Sequence, residues 1–419
     1  MSKRIFVFGD WDDLEKATLI GQLTADTVRG KEVFSFQYDQ DWLKKPASTY
    51  LDPDLQLFAG PQYVRDEKPN FGMFLDSSPD RWGRVLMKRR EAIFARREKR
   101  SPTVFGESDF LLGVYDANRI GGLRFKTDPE GPFLASDPSL AAPPWVSLRE
   151  LEHAVLELEK DDKLSDNQEL KWLDMLMAPG SSLGGTRPKA SITDQQGNLW
   201  IAKFPSGNDD VNTGGWEMLV HQLAKECGIK VSEARHQKFS SRHHTFITRR
   251  FDRTGENRRI HFASAMTLLG HSDGADHYDG ASYLDLVGFI QQYGNNPKEN
   301  LKELWKRVLF NILVKNTDDH LRNHGFLLTK DGWELSPAYD MNPVPTGTGL
   351  TLNISENDNS LDPELALSVA RHFRLINKDA ANLLVQMKKI VSQWRKLALD
   401  IGIANQEQER MAGAFYVES

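Results

Sequence analysis

A short polar stretch, NTDDHLRNHG at residues 316–325, concentrates carboxylates, imidazoles and amides directly after an apolar, helix-like run. Within it, four residues separate Asp318 from Asn323. The kinase loop H-R-D-x-x-x-x-N has the same spacing; there the Asp accepts the proton of the substrate hydroxyl and the Asn binds Mg²⁺. Asp319 is one residue out of this register. The spacing is common by itself, so it indicates a kinase only together with a second carboxylate.

That second carboxylate is Asp340, in the segment SPAYDMNP. It follows a predicted hairpin whose first strand begins right after the Asp318 loop. A kinase places at this point the Asp that bridges Mg²⁺ to the nucleotide phosphates. Met341 and Asn342 replace the usual Phe-Gly after this Asp, so the pattern predicts a divergent kinase.

Two other interpretations of the stretch remain open at this point. His320 and His324 are four apart, which on a helix would give two zinc ligands, with Asp318 or Asp319 as a third. The glutamate of H-E-x-x-H is missing, however, and Gly325 ends the helix early. The other interpretation is a polar helix end with surface charges, which does not account for Asp340.

A glycine-rich segment, GSSLGGTRPK at residues 180–189, precedes a predicted strand hairpin. Its glycines allow backbone N–H groups to approach a phosphate closely, as in the loop that covers the phosphates of a kinase. Thr186 stands where a P-loop NTPase has its lysine, and a strand rather than a helix follows, so we exclude that class. A flexible linker is the alternative.

Lys203 lies in the next strand, LWIAKFP, among apolar residues. A buried lysine there would need an anionic partner, and a kinase pairs such a lysine with nucleotide phosphates and a helix glutamate. Glu217 is the first suitable glutamate. The alternative is an edge-strand lysine whose ammonium group reaches solvent.

The composition sets limits on these interpretations. The chain has 419 residues, a net charge of -6 and one cysteine, Cys227, so we expect two or three cores in a reducing cytoplasm. No segment approaches the ~20 apolar residues of a membrane span, so no membrane partner is predicted. The acidity argues against a dedicated nucleic-acid binder; the basic residues 88–100 form either a solvated helix face or a patch for tRNA or a partner.

The sequence predicts helices over residues 71–97, 283–293, 297–315 and 379–401. The predicted elements divide the chain into three parts. Residues 1–130 form an α+β domain, 131–250 a β-rich lobe with the glycine-rich loop, and 251–419 a helical lobe with the Asp318 loop; residues 128–145 are the best linker candidate. This predicts an α+β, divergent bilobal protein-kinase-like fold with an added N-terminal domain. The active site is expected in the cleft between the lobes.

HSDGADHYDG, residues 271–280, lacks the order of a calcium loop and is expected to be a mobile surface loop.

The ordered set of motifs GGTRPKASI, WIAKFP, ITRRFDR, NTDDHLRN and SPAYD resembles the HipA family of serine/threonine kinases, the toxins of bacterial type II toxin–antitoxin systems. SSPDRWGRVLMKRRE and GVYDANRIGGLRF resemble the front domain of that family. The resemblance spans nearly the whole chain in the expected order.

The resemblance implies a role for each matching position. Asp318 would be the catalytic base, with Asn323 and Asp340 holding Mg²⁺, and a serine of the glycine-rich loop, Ser182 or its neighbour Ser181, would be phosphorylated by the kinase itself and switch it off. The residues implied to contact ATP are Gly184, Gly185, Thr186, Arg187, Pro188, Lys189, Lys203, Glu217, Arg249, Arg250, Phe251, His320, Asn323, Tyr339 and Asp340.

The resemblance also implies partners. These are a helix-turn-helix antitoxin of HipB type, DNA bound through that antitoxin, and a protein substrate such as an aminoacyl-tRNA synthetase or another translation factor. Two alternatives use the same cleft: a phosphotransferase acting on a small molecule, and a non-catalytic nucleotide-binding co-repressor.

Overall fold

The computed structural model describes residues 2–45, 50–65, 68–136, 142–160, 165–177 and 187–416. The chain divides into two compact units. Unit 1 contains Met1–Gly207 and Asp252–Ala263, and unit 2 contains Asn208–Phe251 and Ser264–Ser419. The division into three domains at residues 130 and 250 stays a prediction.

Unit 1 is built on a five-stranded antiparallel sheet with strand order β4-β3-β2-β1-β5. Alternate residues of β3 point into the core, where Phe36 packs against Phe74 at a ring distance of 5.7 Å. The strands are β1 (Ser2–Gly9), β2 (Thr18–Val28), β3 (Lys31–Tyr38), β4 (Pro61–Tyr63) and β5 (Leu123–Lys126).

Six helices of unit 1 lie in the described residues: α1 (Gln40–Leu43), α2 (Gly72–Asp76), α3 (Arg81–Arg97), α4 (Glu107–Leu112), α5 (Leu148–Glu159) and α6 (Asp166–Met177). The carboxylate of Asp80 accepts a 2.8 Å hydrogen bond from the Gly83 N–H and so caps α3. Pro79 separates α2 from α3, which explains why one predicted helix over 71–97 is two.

The basic face of α3 is solvated at its C-terminal end, where residues 96–100 are exposed, and it also contacts a neighbouring helix. Its arginines form ion pairs with acidic residues of α6, among them Arg90 with Asp174 at 2.8 Å and Arg96 with Asp166 at 2.8 Å. Arg89 also bonds Glu169 of α6 at 3.1 Å. The charge run therefore holds two helices of unit 1 together.

The predicted hairpin after the glycine-rich segment is present. Strands β6 (Lys189–Thr193) and β7 (Leu199–Lys203) pair antiparallel, with Lys189 opposite Lys203. The carboxylate of Asp194 accepts hydrogen bonds from Asn198 and from the indole N–H of Trp200, at 2.8 and 2.9 Å, and so closes the turn.

A second stretch of chain, 252–263, completes unit 1. The ring of His261 stacks on Trp11 at 4.9 Å, and the carboxylate of Asp252 accepts a 2.8 Å hydrogen bond from the Gly121 N–H. Gly121 has φ +69°, and a Cβ there would lie 2.8 Å from the Phe262 nitrogen, so both its conformation and its neighbour require glycine.

Unit 2 has two strand pairs. Strands β8 (Ala234–Gln237) and β9 (Thr245–Arg249) form one antiparallel pair, β10 (Phe262–Ser264) lies where the chain passes from unit 1 back to unit 2, and β11 (Gly325–Thr329) and β12 (Gly332–Leu335) form a hairpin.

Helices make up most of the rest of unit 2. They are α7 (Thr213–Glu226), α8 (Ala265–Leu268), α9 (Tyr283–Tyr293), α10 (Pro297–Leu313), α11 (Pro363–Val369), α12 (Asn377–Val391), α13 (Trp394–Ile401) and α14 (Asn405–Met411). The central helix is α10, almost entirely buried from Val308 to Leu313; its Trp305 donates a 2.9 Å hydrogen bond to the Ala366 carbonyl. In the described part of the chain, no helix has both the length and the apolar character needed to cross a membrane.

Candidate active site

The end of α10 positions the loop that carries the predicted catalytic residues. Beyond Leu313 the chain turns at Lys315, which has a φ of 45°, and the buried Asn316 follows. Asn316 donates a 3.1 Å hydrogen bond to the Asn311 side chain and accepts a 3.0 Å bond from the Asn342 N–H. One buried amide thus ties the loop both to its helix and to the segment that contains Asp340.

Asp318 and Asn323 lie together in this loop. The Asn323 amide donates a 3.0 Å hydrogen bond to the Asp318 backbone carbonyl, while its own side-chain oxygen is buried and has no hydrogen-bond partner among the described residues. Burial raises the pKa of the Asp318 carboxyl; the charges of Asp340 and Asp319 add to this, and His320 opposes it. The two predicted aspartates are therefore close enough to interact electrostatically.

Asp319 has a different role, as a buried anchor of the loop. Its carboxylate accepts a 2.5 Å hydrogen bond from the Tyr283 hydroxyl and lies 2.7 Å from His324 Nε2. Burial alone would raise the pKa of Asp319. The nearby His324 and the hydrogen bonds of Asp319 with His324 and Tyr283 outweigh burial, so the pKa of Asp319 lies below its ordinary value. The carboxylate is therefore ionised, and its two buried contacts hold the loop in place.

These contacts remove the basis of the zinc interpretation. His324 bonds Asp319, and Leu321–Asn323 forms a single 3-10 turn, so His320 and His324 do not share a face of an α-helix. Among the described residues, no group of three or more His, Cys, Asp or Glu side chains is arranged to hold a metal ion.

Asp340 adopts an uncommon backbone conformation, with a φ of 57°. Non-glycine residues in this region cost free energy and cluster at functional sites. Its carboxylate accepts a 3.3 Å hydrogen bond from the Asn342 amide, whose oxygen is buried without a partner among the described residues. Next to it, Tyr339 donates a 2.6 Å hydrogen bond to the Arg322 carbonyl and packs on Phe251 at a ring distance of 5.5 Å.

The remaining predicted residues of unit 2 are on α7 and β9. Glu217 is buried on α7, and Arg249 is the last residue of β9, where its N–H donates a 2.8 Å hydrogen bond to the Glu233 carbonyl. Arg250 is buried and directly precedes Phe251. Unit 2 thus brings together Asp318, His320, Asn323, Tyr339 and Asp340 around one loop.

In unit 1, the buried lysine of the hairpin is Lys189. Its ammonium group forms a 2.6 Å ion pair with Asp80, and both side chains are almost fully buried. Lys203, opposite it in the strand pair, is partly buried and more exposed than Lys189, and its predicted role stays a prediction. Arg187 and Pro188 lie just before β6.

Most of the glycine-rich segment precedes the part of the chain that resumes at residue 187. Gly184, Gly185 and Thr186, together with Ser181 and Ser182, lie outside the described residues. The phosphate contacts predicted for Lys189 and Lys203, and the pairing of Lys203 with Glu217, stay predictions.

Three residues that shape the site were not predicted from the sequence: Tyr283, Asn316 and Asn342. Asn316 and Asn342 lie within quoted motifs, NTDDHLRN and DMNP, but amides carry no pattern that separates a structural role from a surface one. Tyr283 is 36 residues from Asp319, so only the fold reveals their hydrogen bond.

Comparisons with known proteins agree on one family. The HipA-like C-terminal domain family matches residues 181–397. A Haemophilus influenzae protein named "Putative kinase" is 28% identical over 193 residues, covering 40% of this chain and 54% of that protein. The Serine/threonine-protein kinase toxin HipA of Shewanella oneidensis is 29% identical over 143 residues, covering 30% of this chain and 33% of the toxin. These alignments therefore span about half and a third of the relatives.

A solved structure extends the likeness over the whole chain. HipA in the Shewanella oneidensis MR-1 complex of HipA, HipB and operator DNA matches with a TM-score of 0.67 and 18% identity, covering 97% of this chain and 94% of that one. The predicted α+β, kinase-like fold with an added N-terminal domain is confirmed by this match. Since the family match alone covers more than half of the sequence, the chain belongs to the HipA family.

Proposed function

We propose that this protein is an ATP-dependent serine/threonine protein kinase and the toxin of a toxin–antitoxin module. The observation that carries the proposal lies in the Asp318 loop of unit 2. The Asn323 amide donates a hydrogen bond to the Asp318 backbone, and no described residue donates one to the buried oxygen of that amide. A carboxylate base beside unpartnered oxygen ligands is what phosphoryl transfer requires.

The residues present fit a bound magnesium ion. Mg²⁺ prefers oxygen ligands, and the Asp340 carboxylate and the Asn323 and Asn342 amide oxygens are all of this type. When bound, Mg²⁺ neutralises the charge that develops on the phosphates of ATP. Asp340 and Asn323 would hold the ion, as the family resemblance implies.

The side chains around this site act on the acceptor and on the loop. Asp318 accepts the proton of the acceptor hydroxyl, and the raised pKa of its carboxyl favours this role. Asp319, fixed by Tyr283 and His324, keeps the loop in place during the transfer. The proposed ATP contacts are those of the family resemblance: residues 184–189, Lys203 with Glu217, Arg249 to Phe251, His320 and Tyr339.

The test is transfer of radiolabel from [γ-³²P]ATP to protein, in cell extract and to the purified protein itself. Asp318→Asn should abolish labelling, whereas Asp331→Asn, the same change in the exposed β11–β12 turn, should leave it intact. Label found only on small molecules would identify a small-molecule phosphotransferase instead. Growth inhibition that survives Asp318→Asn would identify a non-catalytic co-repressor.

We further propose that the kinase phosphorylates itself at Ser182, with Ser181 as a second acceptor. A phosphoserine adds nearly two negative charges, about -1.5 to -2, so the loop would no longer favour ATP phosphates. Ser182→Ala should remove or reduce the label on the purified protein. Mass spectrometry that finds phosphate only outside residues 180–186 would exclude this switch.

The partner we propose is a helix-turn-helix antitoxin of HipB type, which would connect the kinase to DNA. Support comes from the related HipA, which was solved together with HipB and operator DNA. The proposed protein substrate is an aminoacyl-tRNA synthetase or another translation factor, in the cytoplasm. Phosphoproteomics of cells that express wild type or Asp318→Asn would identify it.

A further inference from the structure

A buried ion pair on α10, Glu303 with Arg307, takes no part in the roles described so far. The two side chains lie one helical turn apart with 3.2 Å between their charged atoms, and they are only 6% and 3% exposed. Burial alone would raise the pKa of Glu303, but the charges of Arg307 and Lys306 hold it below its ordinary value. Both partners are therefore charged in the interior of unit 2, where a charge is costly unless its contacts compensate.

Arg307 also bonds the segment that leads to Asp340. Its Nη2 donates a 2.6 Å hydrogen bond to the Ser336 carbonyl and one of 3.2 Å to the Glu303 carboxylate. Its Nη1 is buried and has no hydrogen-bond partner among the described residues. A buried donor without a partner costs free energy, and an apolar side chain of similar size would avoid that cost. The guanidinium provides what such a side chain could not, a fixed link from α10 to a carbonyl four residues before Asp340.

Glu303 connects the same segment to the loop that follows α7. Its Oε1 accepts a 2.9 Å hydrogen bond from the Lys230 N–H, and the Lys230 carbonyl accepts a 2.8 Å bond from the Ala338 N–H. Val231 and Ala338 also form an isolated parallel bridge. The ion pair therefore holds this segment directly through Arg307 and, by way of the loop, through Glu303.

The backbone of Asp340 requires such support. Its φ of 57° lies in the left-handed region, which is costly for a residue other than glycine and persists only where the surroundings enforce it. On one side of it, the Asn342 N–H donates a 3.0 Å hydrogen bond to the Asn316 side chain. On the other side, Ser336 is held by Arg307 and through its own N–H, which donates to the Gly325 carbonyl at 2.9 Å.

We propose that Glu303 and Arg307 are positioning residues for Asp340, which hold the backbone in front of it so that its carboxylate is directed at the magnesium ion. The inference rests on the proposed kinase function and goes beyond it, since neither side chain is proposed to contact ATP, the metal ion or the acceptor. Residues that orient a metal ligand commonly change metal affinity or activity by about ten- to 100-fold.

The first measurement is hydrogen–deuterium exchange of the peptide that covers residues 336–342. Arg307→Met removes the bond to Ser336, and exchange of this peptide should be about tenfold faster than in wild type, because hydrogen bonds to charged groups contribute at least this factor. Glu334→Gln is the matched control. It breaks an exposed 3.0 Å ion pair with Lys230, which joins the same two segments, and should leave the exchange unchanged.

The second measurement is the Mg²⁺ concentration that gives half-maximal transfer of label from [γ-³²P]ATP. Arg307→Met should raise this concentration by about tenfold, with a much smaller change in the rate at saturating Mg²⁺. Leu384→Ala, which truncates a buried side chain of α12, should lower stability but leave the Mg²⁺ requirement unchanged. The comparison separates positioning of Asp340 from a general loss of stability.

A double variant covers the case in which Arg307→Met does not fold. Glu303→Gln combined with Arg307→Met leaves no unpaired charge in the interior, and such neutral replacements of buried ion pairs are often tolerated. We expect the same faster exchange of residues 336–342 and the same higher Mg²⁺ requirement. Unchanged exchange, or an unchanged Mg²⁺ requirement, in the folded variants would overturn the inference.

The proposed kinase function is judged on wild type alone, by labelling of protein that is lost with Asp318→Asn. Label in wild type, together with variants that match it in exchange or in Mg²⁺ requirement, would overturn the inference and leave the kinase function standing. No label in wild type would overturn both, because no metal-dependent transfer would then exist for Asp340 to serve.

Discussion

The Asn323 side chain donates a 3.0 Å hydrogen bond to the backbone carbonyl of Asp318 and leaves its own amide oxygen buried without a partner among the described residues. A buried polar atom without a hydrogen bond costs free energy, and such atoms call for an explanation. A bound cation supplies one, because it would take the place of the missing donor. The same residue would then both shape the loop and hold the metal.

We therefore expect Asn323→Ala to raise the Mg²⁺ concentration that gives half-maximal kinase activity by about tenfold or more, since loss of a ligand typically weakens a metal site by at least this factor. The measurement is a Mg²⁺ titration at saturating ATP. Asn377→Ala, on the exposed first turn of α12, is the control and should behave as wild type. An unchanged Mg²⁺ requirement in Asn323→Ala would remove Asn323 from the metal site.

Two neighbouring aspartates should give opposite results when each is replaced by asparagine. Asp318→Asn should reduce phosphoryl transfer by about 10²-fold or more with little loss of stability, because it removes a base and relieves repulsion from Asp340. Asp319→Asn should lower the free energy of unfolding by about 3 kcal/mol, because His324 and Tyr283 lose a buried carboxylate partner. Thermal unfolding and activity assays of both variants distinguish the roles. A stable, inactive Asp319→Asn with an active Asp318→Asn would reverse the assignment.

The buried pair of Asp80 and Lys189 should stabilise unit 1 in two separable ways. Asp80→Asn keeps an oxygen for the Gly83 N–H but loses the charge opposite Lys189, and we expect a loss of about 3 kcal/mol or more. Asp80→Ala loses the helix cap as well and should cost about 1 kcal/mol more. Chemical denaturation of both variants measures the difference. Equal stabilities of the two variants would show that the cap contributes nothing.

The buried His261 should make stability depend on pH. Burial lowers the pKa of His261 to about 3, whereas an unfolded histidine titrates near 6.5, so the unfolded state binds more protons between these values. Stability is therefore lost as the pH falls below 6.5, by about 2 kcal/mol at pH 5. His261→Phe should lose less stability than wild type between pH 7.5 and pH 5 in urea denaturation. Equal losses in the two proteins would contradict the prediction.

The sequence predicts best those elements whose limits are set by local signals. Helix α10 begins at Pro297 as predicted and ends two residues before the predicted limit of 315, and α9 has the predicted limits, 283–293. The sequence does not predict strand β2, because Gly21 and scattered polar residues interrupt its alternation; pairing on both sides with β1 and β3 makes it a strand. Packing likewise divides the helix predicted over 379–401, where Trp394 stacks on Phe415 at 4.5 Å.

In the candidate site, too, the sequence predicts only what local signals determine. The spacing of Asp318 and Asn323 is local, so the loop that carries both can be found from the sequence alone. That Lys189 is the more buried of the two paired lysines cannot be found in this way, because its partner, Asp80, lies 109 residues from it in the sequence. The roles of Asp319 and Tyr283 depend in the same way on contacts that local sequence does not encode.

The return of residues 252–263 to unit 1 affects the order in which the protein can fold during its synthesis. The Trp11 ring and the Gly121 N–H obtain His261 and Asp252 as partners only after more than 250 residues have been made. A ribosome-bound chain that ends at residue 207 would thus lack both of these partners while the next 44 residues are added. Fragments meant to isolate unit 1 have to carry this later peptide, or supply it in trans.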